Sequence, residues 1–221
     1  MESFLQTMLL TFKVSIITTA ILLCIALPLG YFLAFYKSKI TPILETIVSM
    51  PLVLPPSVLG FYLLIAFSPQ NFLGAFLLEY FDIKFVFSFE GVILASIIFS
   101  MPFMINPIQA GFASLPKSLY EAALTLGKSR IEIFFKVLIP NIKNSIIVGI
   151  VVTFAHTIGE FGVIMMIGGN IEGVTRVASI AIYDEVESLN YALAHKYALT
   201  LFLVTFSILL LTFYLNKKDK L

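Results

Sequence analysis

The stretch Glu121-Ala122-Ala123-Leu124-Thr125-Leu126-Gly127-Lys128-Ser129-Arg130-Ile131-Glu132-Ile133-Phe134-Phe135-Lys136-Val137-Leu138-Ile139-Pro140 lies between two long apolar runs and decides how both are read. It contains charges every few residues, so it cannot sit in hydrocarbon. It predicts two short helices joined at Gly127, where a residue without Cβ permits a sharp turn. Ala122 and Ala123 offer a smooth surface for close docking, and Glu121 sets a carboxylate at its rim. Ile131, Ile133, Phe134 and Phe135 give the second helix apolar faces. Pro140 begins the next apolar run, where its missing N–H is harmless in a first helical turn. On these residues alone, an amphipathic helix resting on anionic lipid fits as well as a surface that docks a partner.

Working outward, the whole chain is apolar. Of its 221 residues 59% are hydrophobic and 12% charged, with mean hydropathy +1.01. Soluble domains average about 25% charged residues, so this chain has too few charges to face water over its surface. It is predicted to be an all-α integral membrane protein. Alternating polar and apolar residues, the mark of a β-barrel, are missing from the apolar runs. The net charge of +1 points to no nucleic-acid partner. Cys24 is the single cysteine, within an apolar run, and is expected to be buried and inert.

A spanning helix needs about 20 mostly apolar residues. Five stretches meet this, at about 14–36, 47–67, 91–111, 142–167 and 197–215, with a long loop at 114–141. The segment 71–81 is too short to cross. The first run is longer than the apolar core of a signal peptide and lacks a small-residue cleavage site, so it is expected to be retained. Basic residues favour the cytoplasmic side. Lys37 and Lys39, the group Lys117, Lys128, Arg130, Lys136 and Lys143, and the terminal Lys217, Lys218 and Lys220 share one face if there are five spans. Only Lys13, Lys84, Arg176 and Lys196 fall on the other. This places the N-terminus outside and the C-terminus in the cytoplasm, with one domain over about 8–215.

Enzyme signatures fail on inspection. Gly127-Lys128-Ser129 imitates the end of a phosphate-binding loop, but the required first glycine falls on Ala122 and no strand precedes it. His156 and His195 stand 39 positions apart without a ligand pattern around them. No catalytic, metal or cofactor-binding residue is assigned. Two features inside the apolar runs stand out. Pro51, Pro55 and Pro56 each remove a backbone donor, so the second run cannot be a regular helix at its start. Such irregularity is tolerated beside protein or a water-filled cavity, and a simple kink against a neighbour fits equally. Glu160, flanked by Gly159 and Gly162, is an acid within the fourth run, by default a functional position.

The spacing of Glu121-Ala122-Ala123, Gly127, Val137, Ile139 and Pro140 resembles the EAA loop of ABC-importer permeases, with Val137 and Ile139 where Ile and Leu are usual. Beyond the loop, Leu27-Pro28-Leu29-Gly30-Tyr31, the run from Met50 to Gly60, Met101-Pro102-Phe103, Gly159-Glu160-Phe161-Gly162 and Ile180-Ala181-Ile182-Tyr183 are similar to the molybdate-type permeases, which stand close to the sulfate-type ones. The resemblance implies a type I ABC importer permease fold, with Glu121, Ala122, Ala123, Gly127 and Pro140 in coupling helices that seat in a separate ATPase. It implies a homodimer, two cytoplasmic ATPase subunits that hydrolyse the ATP, an extracytoplasmic molybdate-binding protein, surrounding membrane lipid and no cofactor. Pro55, Pro56, Ser57, Val58, Gly60 and Glu160 become the candidate pathway or gate. A carboxylate beside an anion's path repels it, so Glu160 is expected to pin a helix or shape the gate by a hydrogen bond. The competing readings are a sulfate or tungstate permease, an ion-coupled secondary transporter, which should show inverted repeats and mid-membrane charges, and a membrane scaffold without transport.

Overall fold

The computed structural model describes residues 2–218. Among them every regular element is helical: α1 (Glu2–Phe35), α2 (Thr41–Ser49), a 3-10 turn (Met50–Leu52), α3 (Pro56–Phe67), α4 (Phe72–Phe81), α5 (Phe89–Ala113), α6 (Lys117–Thr125), α7 (Arg130–Ile133), a π turn (Phe134–Leu138), α8 (Ile139–Asn141), α9 (Lys143–Gly159), α10 (Gly162–Gly168), α11 (Ala178–Glu187) and α12 (Tyr191–Lys218). Lys220, used above to orient the chain, lies outside the described residues.

Three helices, α1, α5 and α12, are long and apolar enough to cross a membrane, and the count rises to five if each of two bent pairs is one span. The first bent pair runs from α2 to α3 and turns by 112°. Its break falls at the prolines: Val53 and Leu54 are not helical, Pro55 is extended with ψ 134°, and Pro56 opens α3. The second turns by 73° between the segment 130–141 and α9.

Sequence and structure part at three points. α1 begins at Glu2, well before the expected 14, because its first turns are held by packing: Met8 joins Ala178, Ala181 and Tyr197 in one buried cluster. The run 142–167 is not one helix. It breaks at Glu160, extended with ψ 131°, and Phe161, before α10 resumes. Cys24 is exposed on the outer face of α1 beside Ile21 and Ile25, not buried, because the inward side of that helix is filled by Leu22 and Ala26.

α5 is the central helix, packed on α1, α9 and α10. Its approach to α1 is close because Gly30 has no side chain; a Cβ there would lie 2.9 Å from Cγ2 of Ile108. One core cluster joins Leu22 and Ala26 of α1, Met104, Ile108 and Phe112 of α5, Ala123 of α6, and Ile133 and Leu138 of the following segment. A second, at the other end of the bundle, gathers Val14, Val92, Ile164, Val177 and Ile180.

These contacts separate two ends. The hydroxyl of Thr11 accepts a hydrogen bond from the Ala178 N–H at 2.8 Å, while Tyr31 meets Phe134 edge-on at 5.3 Å. Tyr31 follows Thr11 by twenty steps along α1, about 30 Å of helix, which is the thickness of the hydrocarbon layer. The loop 114–141 and the helix α11 therefore occupy opposite ends of the bundle.

Candidate functional site

The loop 114–141 closes α6 with a glycine-based C-terminal motif. The Lys128 N–H donates to the Ala123 carbonyl at 3.2 Å and the Gly127 N–H to the Leu124 carbonyl at 2.9 Å. This paired pattern needs a left-handed residue between helix and exit, and Gly127 supplies φ +73°. Nothing lies within 4 Å of a Cβ placed there, so backbone conformation alone demands glycine.

Ser129 then starts α7 with a reciprocal cap. Its hydroxyl accepts from the Glu132 N–H at 3.2 Å, and the Glu132 carboxylate accepts from the Ser129 N–H at 3.3 Å. Lys136 donates to Glu132 at 3.2 Å and Lys128 stands 3.8 Å away. The Lys136 hydrogen bond first, then the Ser129 N–H and Lys128, hold the Glu132 carboxyl below its ordinary range. The Ser-x-x-Glu spacing at 129–132 is a capping-box signature, legible in the sequence but masked there by its likeness to a phosphate-binding loop.

The expected docking residues divide between two faces. Glu121 and Ala122 are exposed, together with Leu124 and Leu126, the latter 78% exposed. Ala123 is buried against the membrane-spanning core. The outward face is thus a small apolar ledge rimmed by a carboxylate, and the inward face ties it to α5. Pro140 is exposed in the first turn of α8, directly after the π turn.

The other candidate residues meet where the break before α3 faces the break between α9 and α10. An open cleft of about 680 Å³ is lined by Pro56, Ser57, Phe99, His156, Glu160 and Phe161, among others. Pro55 caps α3 and is exposed, Val58 is half-buried, and Gly60 is buried on α10, where a Cβ would lie 2.7 Å from that of Met166. The structure brings Pro56, Ser57 and Glu160 to one cleft; Val58 and Gly60 belong to the α3 helix behind it.

Glu160 is pinned, but not by its carboxylate. The Ser179 hydroxyl donates to its main-chain carbonyl, and the neighbouring Phe161 ring lies 5.0 Å from Tyr183. Both carboxylate oxygens are buried without a hydrogen-bond partner among the described residues. This corrects the expectation of a side-chain hydrogen bond. Sequence reasoning also missed Ser100, whose hydroxyl sits 3.1 Å from Nδ1 of His156 and 3.0 Å from the Thr157 hydroxyl. The Phe103 ring stacks on His156 at 3.9 Å. Hydroxyls at positions 96, 100, 153 and 157, spaced by one helical turn within apolar runs, were the available signal.

Long apolar helices, two broken segments facing one cleft and a charged helical loop coupled to the central helix define a membrane permease. Residues 26–218 match the family described as binding-protein-dependent transport system inner membrane component, and the chain belongs to that family. It is 38% identical over 201 residues to the molybdenum transport system permease protein ModB of Azotobacter vinelandii, covering 90% of this chain and 88% of that protein. It is 32% identical over 170 residues to the sulfate transport system permease protein CysT of Salmonella typhimurium, covering 77% of this chain and 61% of that one. Among solved structures, a chain of a bacterial ABC transporter involved in the import of the acidic polysaccharide alginate shares the fold, with TM-score 0.80 at 19% identity, covering 99% of this chain and 80% of that one.

Proposed function

We propose that this chain is the permease subunit of an ATP-driven molybdate importer in the cell's inner (plasma) membrane. The similarity to a molybdenum permease, extending over nine-tenths of both chains, carries this reading. Residues 8–215 act as one permease domain with the N-terminus outside and the C-terminus cytoplasmic, as the partition of basic residues favours. Two copies enclose the path on their shared axis, because one bundle of at most five spans offers little room for a gated pore.

The proposed mechanism follows from packing. The ledge of Glu121, Ala122 and Leu126 seats in a cytoplasmic ATPase subunit, one per copy. Ala123, Ile133 and Leu138 share a core with Met104, Ile108 and Phe112 of α5, and packed cores transmit displacement instead of absorbing it. Closure of the two ATPases on ATP then shifts α5 and α9 together and alters the cleft at the end of α9. Pro55 to Gly60 and Glu160 border the path there, as a gate biased by partners on both sides. An extracytoplasmic binding protein delivers the oxyanion and sets most of the selectivity.

The sulfate permease similarity supports a second reading, a sulfate carrier of the same architecture. Calorimetry on the extracytoplasmic binding protein that delivers anion to this permease separates them. The molybdate reading predicts molybdate bound at least about 100-fold more tightly than sulfate, about 2.7 kcal/mol. Tighter sulfate binding overturns it.

A further inference from the structure

A second hollow, of about 310 Å³, opens at the basic end of the bundle between the end of α1 and the start of α7. Its walls include Pro28, Tyr31 and Tyr36 from the α1 side and Arg130, Ile131 and Phe135 from the loop. The gate does not use it; Tyr31 and Tyr36 separate it from a neighbouring cavity that Glu121 of the ledge lines. Ile131 is 73% and Phe135 60% exposed, an apolar floor that needs cover.

Two observations identify the cover. The hollow runs into the exposed stripe of α1 formed by Ile21, Ile25 and Pro28, positions one helical turn apart that face outward from a membrane-spanning helix. An acyl chain fits along that stripe. At the mouth stands Arg130, whose guanidinium has no carboxylate within ion-pair distance among the described residues; Glu132 is already engaged by Lys128 and Lys136. Tyr36, 49% exposed, sits beside it at headgroup level. An arginine fork matches a phosphodiester in two parallel hydrogen bonds, and basic hollows at the cytoplasmic ends of spanning helices favour anionic headgroups.

We propose that the Arg130 hollow binds an anionic phospholipid, its phosphodiester on Arg130 and one acyl chain along Pro28, Ile25 and Ile21. The bound lipid wedges α7 against α1 and so braces the loop that carries the docking ledge. The site is independent of which anion is transported, so it stands or fails separately from the proposed substrate.

The test is native mass spectrometry of the purified full-length permease titrated with phosphatidylglycerol or phosphatidylcholine of identical acyl chains. The wild type should prefer phosphatidylglycerol about five-fold, the effect of one surface cation. Arg130→Gln should bring the two lipids to parity, with phosphatidylglycerol losing more than phosphatidylcholine, whose phosphodiester charge is already cancelled by choline. Arg130→Lys, with the charge kept and the fork lost, should retain part of the preference. Phe135→Ser should weaken both lipids alike. An undiminished preference in Arg130→Gln, or none in the wild type, overturns the proposal. So does displacement of phosphatidylglycerol by millimolar inorganic phosphate, which marks a free-anion site, or by the cognate ATPase, which assigns the hollow to that partner.

Discussion

Gly162 and Pro56 touch across the two breaks: a Cβ on Gly162 would lie 2.8 Å from the Cβ of Pro56. The first turn of α10 is thereby pressed onto the first turn of α3, and neither can straighten its break without moving the other. Gly60 repeats the contact one turn further on, close to Met166 and to the Val163 backbone.

Overpacking that crossing should be costly. Gly60→Val is expected to destabilise the protein by about 1–3 kcal/mol, seen as a lowered Tm in detergent. Gly159→Ala, where a Cβ meets nothing within 4 Å, should leave the Tm unchanged or raise it slightly. Equal losses in both variants would show that the α3–α10 crossing is not tightly packed.

Glu160 should behave as a functional group kept at the expense of stability. A buried carboxyl without a donor is penalised by several kcal/mol if charged. Glu160→Gln, of the same shape, is expected to raise the Tm while lowering uptake. A fall in Tm would contradict this reading.

Much of this was legible in the sequence, and the misses share a cause. Pro51, Pro55 and Pro56 announced the first break because proline acts locally on its own backbone. Gly127 likewise announced the turn. The break at Glu160 was not announced, since Gly159, Phe161 and Gly162 are compatible with helix and the interruption comes from packing of α10 on Pro56 and Val92. The outward turn of Cys24 depends on which face of the uniformly apolar α1 meets the core, and no hydrophobic period marks that face when lipid and core are equally apolar.

The cap on α7 predicts a pH dependence. The Glu132 carboxyl lies below its ordinary range, so its contribution is full above that range and is lost as pH falls through the lowered value. Amide exchange at Ser129, whose N–H the carboxylate accepts, should, after correction for intrinsic rates, lose protection between about pH 5 and pH 3. Glu132→Gln should abolish the dependence. A pH-independent protection in the wild type would contradict the cap.

The two ends of the bundle predict a labelling pattern. In a Cys24→Ala background, Ser118→Cys in α6 and Asp184→Cys in α11 should react with an impermeant maleimide from opposite sides of the membrane, Asp184→Cys from outside. Labelling of both from one side would contradict the topology.

The central claim is that the ledge before Gly127 couples an ATPase to a molybdate path. A β-branched residue at φ +73° costs about 1–2 kcal/mol, small enough for Gly127→Val to insert, and Glu121→Lys reverses the charge at the rim. The deciding measurement is ATP-driven molybdate uptake by proteoliposomes holding the permease, its ATPase and its loaded binding protein. The wild type should transport molybdate, whereas Gly127→Val and Glu121→Lys should insert at normal levels yet lose most uptake and the ATP hydrolysis stimulated by loaded binding protein. Full uptake by both variants, or no molybdate uptake by the wild type, would contradict the account.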